Sequence, residues 1–526
     1  MRPNAQCLIA IFSIAVFVWP AFSADFRVFP YIQNPTTASM SILWFSNDDT
    51  PGRLTYRKKG TSNDTTIVST PIRTDALAYL ASENETHFGG QAPPSPFRHR
   101  VRLNDLIPAT AYAYEVTQGA SHFAATFTTA PTAKQPIRFI AYADCETEPE
   151  STGKHVKWVS DLRPSSVLDS TYFLDQTMGY GENLAVIAAR RPDFIAIAGD
   201  LVESGGEQRD WDEFWLHNTN ADGRQSIAGQ IPILATPGNH EYYAGPGKGY
   251  NQPDSERAIT RFRTYFEFPD NQADDARQKG RYYRVDYGPI TLIALDVANN
   301  SPNQSKRDTN FMLVGEKDPE GGRAPAFGPG SRQYAWLEKQ LADAQHKSKF
   351  TFVFFHHVPY SVGPHGKSPG PRDDEHDNQS GVPVRVLTPL FMRYGVDAVL
   401  AGHDEIWERS EIVGMTTTDG KQIPHTIHFY DIGTGGDGLR APEAGLKNKY
   451  QKFIAHIDAR EIWHDGVLVD GGKHYGHLEV DVLPGKTGWL AILKPVYIFP
   501  LFSADGTFLG NERRLYNDII TLSSSP

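Results

Sequence analysis

The chain has 526 residues, 40% hydrophobic and 21% charged, with a formal net charge of −11. That length and balance fit about two to four globular domains and exclude a disordered or fibrous chain. The negative charge argues against a general nucleic-acid binder, whose surface is basic.

Residues 1–23 read apart from the rest. One arginine precedes an apolar run from Cys7 to Val18, and small residues follow at Ala21 and Ser23. This is the pattern of a secretory signal peptide cut after Ser23 or Ala24. An uncleaved anchor is the alternative, although the run is short for a membrane span. The mature protein is expected to be exported, secreted or periplasmic, with no membrane span. Cys7 leaves with the signal, so Cys145 is the mature chain's one thiol and no internal disulfide is expected.

Residues 25–132 alternate polar and apolar side chains in short runs, as in SMSILWFS (Ser39–Ser46), HRVRLNDL (His99–Leu106) and AYAYEVTQ (Ala111–Gln118). Such runs, with turn residues between them, predict an antiparallel β-sandwich. Ala130–Pro136 reads as a linker.

Over residues 136–462 the texture changes. IRFIAYAD, DFIAIAGD, IPILATPGNH, ITLIALD, FTFVFFHH and VDAVLAGHDE are near-continuous apolar runs, as in strands covered on both faces. Helical patterns lie between them; in residues 331–347, Tyr334, Leu337, Leu341 and Ala344 share one face. Alternating strands and helices predict a layered α/β domain. From residue 463 to 526 the pattern is β again, and either adds strands to the central layers or forms a small cap. Residues 299–330 and 364–383 make long polar loops, read as lids over a site or as solvated insertions.

The polar residues follow the apolar runs. Asp144, Asp200, Asn239-His240, His356-His357 and His403 each stand directly after one. The carboxyl ends of strands frame the binding crevice of an open α/β sheet. All these residues except the amide are of the kinds that bind metal most often.

At these residues the chain resembles the metallophosphoesterase superfamily and, within it, the purple acid phosphatases and their bacterial relatives. The blocks are YADCE, GDLVE, GNHEYY, VFFHH and GHDEIWERS, in that order. The resemblance implies a four-layer αββα sandwich preceded by an all-β, fibronectin III-like domain. It implies two divalent or trivalent metal ions (Fe, Mn, Zn, Mg or Ca) and a small-molecule phosphate ester as substrate, with no nucleic-acid polymer as partner and the oligomeric state left open. Carried over residue by residue, Asp200 bridges the metals, Asn239, His356 and His403 complete the second metal's ligand set, and Asp144 binds the first metal. His240 lies beside the substrate, and His365 is a further candidate proton donor.

Two departures stand out. Glu203 occupies the place of the family's iron-binding tyrosine, so no purple chromophore is expected. Glu146 and Glu405 occupy places where imidazoles bind the first metal. If both face it, that shell becomes all oxygen (Asp144, Glu146, Asp200, Glu405) and favours harder cations; if either turns away, one metal remains. His357 is expected to pack against the neighbouring strand, Cys145 to pack in the core, and Arg409 to pair with an acid. The implied activity is that of a secreted phosphomonoesterase using a dinuclear metal-activated hydroxide. The alternatives are a phosphodiesterase or a nucleotide or phospholipid-headgroup hydrolase, and a non-catalytic binder with a degenerate site.

Overall fold

The computed structural model describes residues 25–158, 170–219, 226–250, 253–298, 322, 324–366, 378–417, 420–437, 439–455, 462–464, 467–503, 505 and 507–524. The signal segment and most of both long loops lie outside these residues.

The N-terminal part contains β1 (Phe26–Gln33), β2 (Met40–Ser46), β3 (Arg53–Lys58), β4 (Thr65–Val68), β5 (Ile72–Arg73), α1 (Ala81–Phe88), β6 (Phe97–Leu103), β7 (Ala111–Gln118) and β8 (Ser121–Thr128). The strands form two antiparallel four-stranded sheets, in the orders β1-β2-β6-β5 and β4-β3-β7-β8. Ile42 and Trp44 of one sheet and Leu54, Tyr114 and Val116 of the other close a core between them. The alternation in AYAYEVTQ shows here: Tyr112, Tyr114 and Val116 are buried while Glu115 and Thr117 are exposed.

The larger part follows: β9 (Ile137–Tyr142), β10 (His155–Trp158), β11 (Ser170–Asp175), α2 (Gln176–Arg190), β12 (Phe194–Ile197), α3 (Gln208–Asn218), β13 (Ile233–Ala235), α4 (Asp254–Tyr265), β14 (Tyr283–Tyr287), β15 (Ile290–Ala294), α5 (Arg332–Lys347), β16 (Phe350–His357), α6 (Thr388–Arg393), β17 (Ala398–Gly402), β18 (Trp407–Thr416), β19 (Gln422–Ile432), β20 (Gln451–Ile454), β21 (Ile462–His464), β22 (Val467–Asp470), β23 (Gly476–Pro484), β24 (Trp489–Phe502), β25 (Phe508–Leu515) and β26 (Ile520–Ser524). Two seven-stranded mixed sheets result, one ordered β13-β12-β9-β23-β24-β25 with β26 also on β24, the other β14-β15-β16-β17-β19-β18-β20.

Side-chain alternation assigns the layers. Phe139, Ala141, Phe194 and Ala196 of the first sheet meet Phe352, Phe354, Ala398 and Leu400 of the second in one core. The residues between them point outward. Ile140, Tyr142, Ile195 and Ile197 pack under α2, α3 and α4, and Val353, Phe355, Val399 and Ala401 pack under α5 and α6. The fold is therefore an αββα sandwich after an all-β domain. Ser331 caps α5, its hydroxyl accepting from the Tyr334 N–H at 3.3 Å, and Leu337, Leu341 and Ala344 are buried.

The C-terminal segment enters the first sheet: β23 pairs antiparallel with β9, and β24 with β23. Arg409 on β18 makes a two-pronged pair with Asp518, 2.7 Å at each contact. Parallel β9 and β12 in one sheet, and parallel β16, β17 and β19 in the other, end at the same edge. There the sheets are stitched together: the Ala143 N–H donates to the Ile432 carbonyl at 3.1 Å, and the Gly435 N–H to the Ala143 carbonyl at 3.0 Å.

Candidate metal centre

The acids of the cleft and His403 sit just past strand ends, where the backbone turns sharply, while His356 and His357 are the last two residues of β16. Asp144, Glu146, Asp200, His403 and Glu405 all have positive φ, between 36° and 82°. Few side chains adopt this conformation without strain, and such strain gathers at functional sites. Glycines leave room: a Cβ on Gly238 would lie 2.1 Å from Asp200 Oδ1, and one on Gly402 2.2 Å from Asp144 Oδ2.

One group forms around Asp200. His356 Nε2 stands 2.8 Å from Asp200 Oδ2 and 3.0 Å from Asn239 Oδ1, while its Nδ1 donates to the Ala198 carbonyl at 3.0 Å. Asp144 Oδ1 is 3.8 Å from His356 Nδ1, and the Asp144 carboxylate accepts the His403 N–H at 3.0 and 3.1 Å. Asp144, Asp200 and His356 offer ligand atoms within 4.8 Å of one another, as do His356, His357 and His403. Burial pushes Asp200 up, but the His356 and His240 imidazoles outweigh it and hold the carboxyl below its usual range. Burial, then Asp200 and Glu405, push Asp144 well up.

A second group is acidic. Glu146, Glu405 and Asp437 offer oxygens within 4.8 Å of one another. Burial, then Asp437 and Glu405, raise Glu146 well above the carboxylate range. Burial and Asp437 raise Glu405 too, opposed by Arg440, whose guanidinium donates to it. The two glutamates thus face each other and Asp437, while Asp144 and Asp200 stand with the histidines. Buried carboxylates that hold each other's protons are groups a cation would deprotonate and bind.

His240 stands beside both groups with its side chain 22% exposed. Its N–H donates to Asp200 Oδ1 at 2.9 Å and its Nδ1 meets the Glu203 carbonyl at 2.5 Å, which leaves Nε2 3.9 Å from Glu146 and 4.0 Å from Asp200. His365 stacks on His403 at 4.3 Å and holds its Nδ1 3.4 Å from Asp404. Beneath the site, the buried Glu241 carboxylate accepts the N–H groups of Gly238, Asp200 and Leu201 at 2.7, 3.0 and 2.8 Å, tying two ligand-bearing loops together.

Residues 156–405 match the calcineurin-like phosphoesterase family, and residues 26–130 match the purple acid phosphatase N-terminal domain. The chain carries a calcineurin-like metallophosphoesterase domain behind a purple acid phosphatase N-terminal domain. An uncharacterised Mycobacterium tuberculosis protein is 26% identical over 445 residues, spanning 78% of this chain and 73% of that protein. A probable purple acid phosphatase of Arabidopsis thaliana is 25% identical over 388 residues, 71% and 68% of the two chains. The purple acid phosphatase structure from yellow lupin seeds has the same fold, with a TM-score of 0.59 at 16% identity over 92% of this chain and 74% of that one.

The phosphoesterase match runs from before Asp200 to Glu405, whereas Asp144 and Glu146 precede it. Their place in the cleft rests on the geometry above. Sequence reasoning passed over Asp437, Asp404, Arg440 and Glu241, and assigned His357 to packing. Asp437 and Arg440 follow the Gly-rich turn after β19, and nothing local marks them as cleft residues. Glu241 was legible only as the residue after Asn239-His240. His425 and His428 stand on β19, away from these ligand groups: the Val396 carbonyl meets His425 Nε2 at 2.7 Å, and His428 is buried beside Arg409.

Proposed function

We propose that the cleft hydrolyses a phosphoric ester, most simply a monoester, with two metal ions held by Asp144, Asp200, Asn239, His356 and His403 on one side and Glu146 and Glu405 on the other. The convergence of strand-terminal ligands around Asp200 carries this reading. When bound, such ions supply Lewis acidity and an acidified water for in-line attack at phosphorus. Asp200 suits the bridging place because its two oxygens already face different partners, His356 and the His240 N–H.

The chain's own residues manage the proton. Burial would favour neutral His240, but the Asp200 and Glu203 carboxylates outweigh it and raise the imidazole to about 9. In the metal-free protein at neutral pH it is an imidazolium, and cations on Asp200 would draw that value down. Its Nδ1–H is spent on the Glu203 carbonyl, so the proton on Nε2 is the one available to a departing alkoxide.

A second reading, a phosphodiester substrate, is favoured by the acids at the cleft. Glu203 and Asp437, to which no metal is assigned above, would repel the second negative charge that a monoester carries and a diester lacks. Metal-replete protein assayed on p-nitrophenyl phosphate and bis-p-nitrophenyl phosphate separates the two readings, and failure to turn over either leaves the binder. Metal analysis should return two equivalents per chain; one or none would sink the dinuclear reading. We also infer export directed by residues 1–23 with cleavage after Ser23 or Ala24; protein retained in the cytoplasm would contradict the export, and an intact N-terminus on exported protein would contradict the cleavage.

A further inference from the structure

His357 is the buried imidazole that the ligand set above leaves without a task. Neighbouring residues on a strand ordinarily point to opposite faces. Here the ladder between β16 and β17 slips between Phe354 and His357, and both terminal imidazoles turn toward His403. Ring centroids lie 4.9 Å apart for His356 and His357, 4.1 Å for His357 and His403, and 5.1 Å for His356 and His403. One nitrogen from each ring lies within 4.8 Å of the other two. His357 is fully buried, and neither Nδ1 nor Nε2 has a hydrogen-bond partner among the described residues. An imidazole offers two polar ring atoms, and leaving both unpaired in a dry interior is costly. A phenylalanine would pack there without that cost. No substrate group reaches a ring with no exposed surface.

We propose that His357 is a third imidazole ligand to the cation beside Asn239, so that His356, His357 and His403 form a three-nitrogen face selecting a first-row transition ion over Mg²⁺ or Ca²⁺. The assignment rests on reading the cleft as a metal centre and departs from the two-imidazole shell carried over from sequence. It gives the centre two unlike halves, nitrogen-rich at β16 and β17 and oxygen-only around Glu146, Glu405 and Asp437.

The test is a Co²⁺ titration of metal-free protein, read by ligand-field absorption and chelator competition, on wild type, H357F and H357Q. Losing a metal's outer-shell partner costs roughly 10–100-fold in affinity, and losing a direct ligand should cost at least as much. Both variants should therefore bind the nitrogen-side Co²⁺ at least ~10-fold more weakly, with an altered spectrum. Metal-free H357F should melt no lower than wild type, because the unpaired ring atoms are gone. H357Q keeps the readout available should H357F fail to fold. Unchanged Co²⁺ affinity and spectrum in the variants would overturn the assignment, whether or not their melting temperatures fall. A wild type that binds Co²⁺ through His357 yet hydrolyses no ester would sink the hydrolase reading and leave this one standing.

Discussion

His240 and Asp200 share one hydrogen bond and are coupled in charge, which makes the imidazole's contribution separable by leaving group. H240A should lower kcat by ~10²–10⁴-fold on an alkyl phosphate, where the departing oxygen needs a proton. On p-nitrophenyl phosphate, whose leaving group needs none, the loss should be far smaller; equal losses would assign His240 to phosphate binding alone. Because cations on Asp200 would draw the imidazole below its metal-free value of about 9, alkyl-ester turnover should fall as pH rises through a limb below that value, and H240A should lack this limb. Glu241 is testable by E241Q. An amide puts a donor against one of three backbone N–H groups, so metal content should drop while Glu241→Asp recovers part of it.

Strand ends were the most legible feature of the chain, since an apolar run stopping at Asp, Asn or His is visible without knowing which strands are neighbours. The slip that turns His357 inward was not visible, because it arises from the pairing of β16 with β17 rather than from either segment. Nor was Arg440, which reaches Glu405 across 35 residues because β19 lies between β17 and β18 in the sheet. The two glutamates were legible as a correlated exchange, but their facing Asp437 depends on the same strand order. At this scale the prediction concerns the turns. G238A and G402A should keep their far-ultraviolet circular dichroism yet lose metal, since each new methyl would press on a ligand carboxylate. Retained metal content in both would mean the loops relax freely.

The N-terminal sandwich and the αββα body share a core. Val28, Tyr31, Phe45 and Leu77 cluster with Trp215, Ile227 and Tyr265; the Tyr31 ring lies 4.2 Å from Trp215, and its hydroxyl donates to the Tyr265 carbonyl at 2.7 Å. Arg27 meets Asp212 at 2.7 Å with side-chain exposures of 3% and 12%. R27A leaves a nearly buried carboxylate held by the Tyr79 hydroxyl and the Gln208 amide but without its guanidinium, so it should cost up to about 3–5 kcal/mol and shift one calorimetric transition as a whole. Two separated transitions in wild type would contradict the shared core. Further across, Glu479 on β23 is gripped by Arg190, Lys494 and Arg513 at 2.7, 3.2 and 3.1 Å. Burial would raise it, but these cations outweigh burial and lower it from 4.5 to about 2. Its contribution is present above pH 4.5 and lost as pH falls toward 2. The melting temperature of E479Q should thus be lower near neutrality and decline less steeply on acidification. The position of β23 also governs when the protein can become active. The strand that delivers Asp144 has β12 on one side and, on the other, a partner made more than 330 residues later. A chain still short of residue 476 holds that strand with a bare edge, so the cleft cannot assemble before β23 has been made.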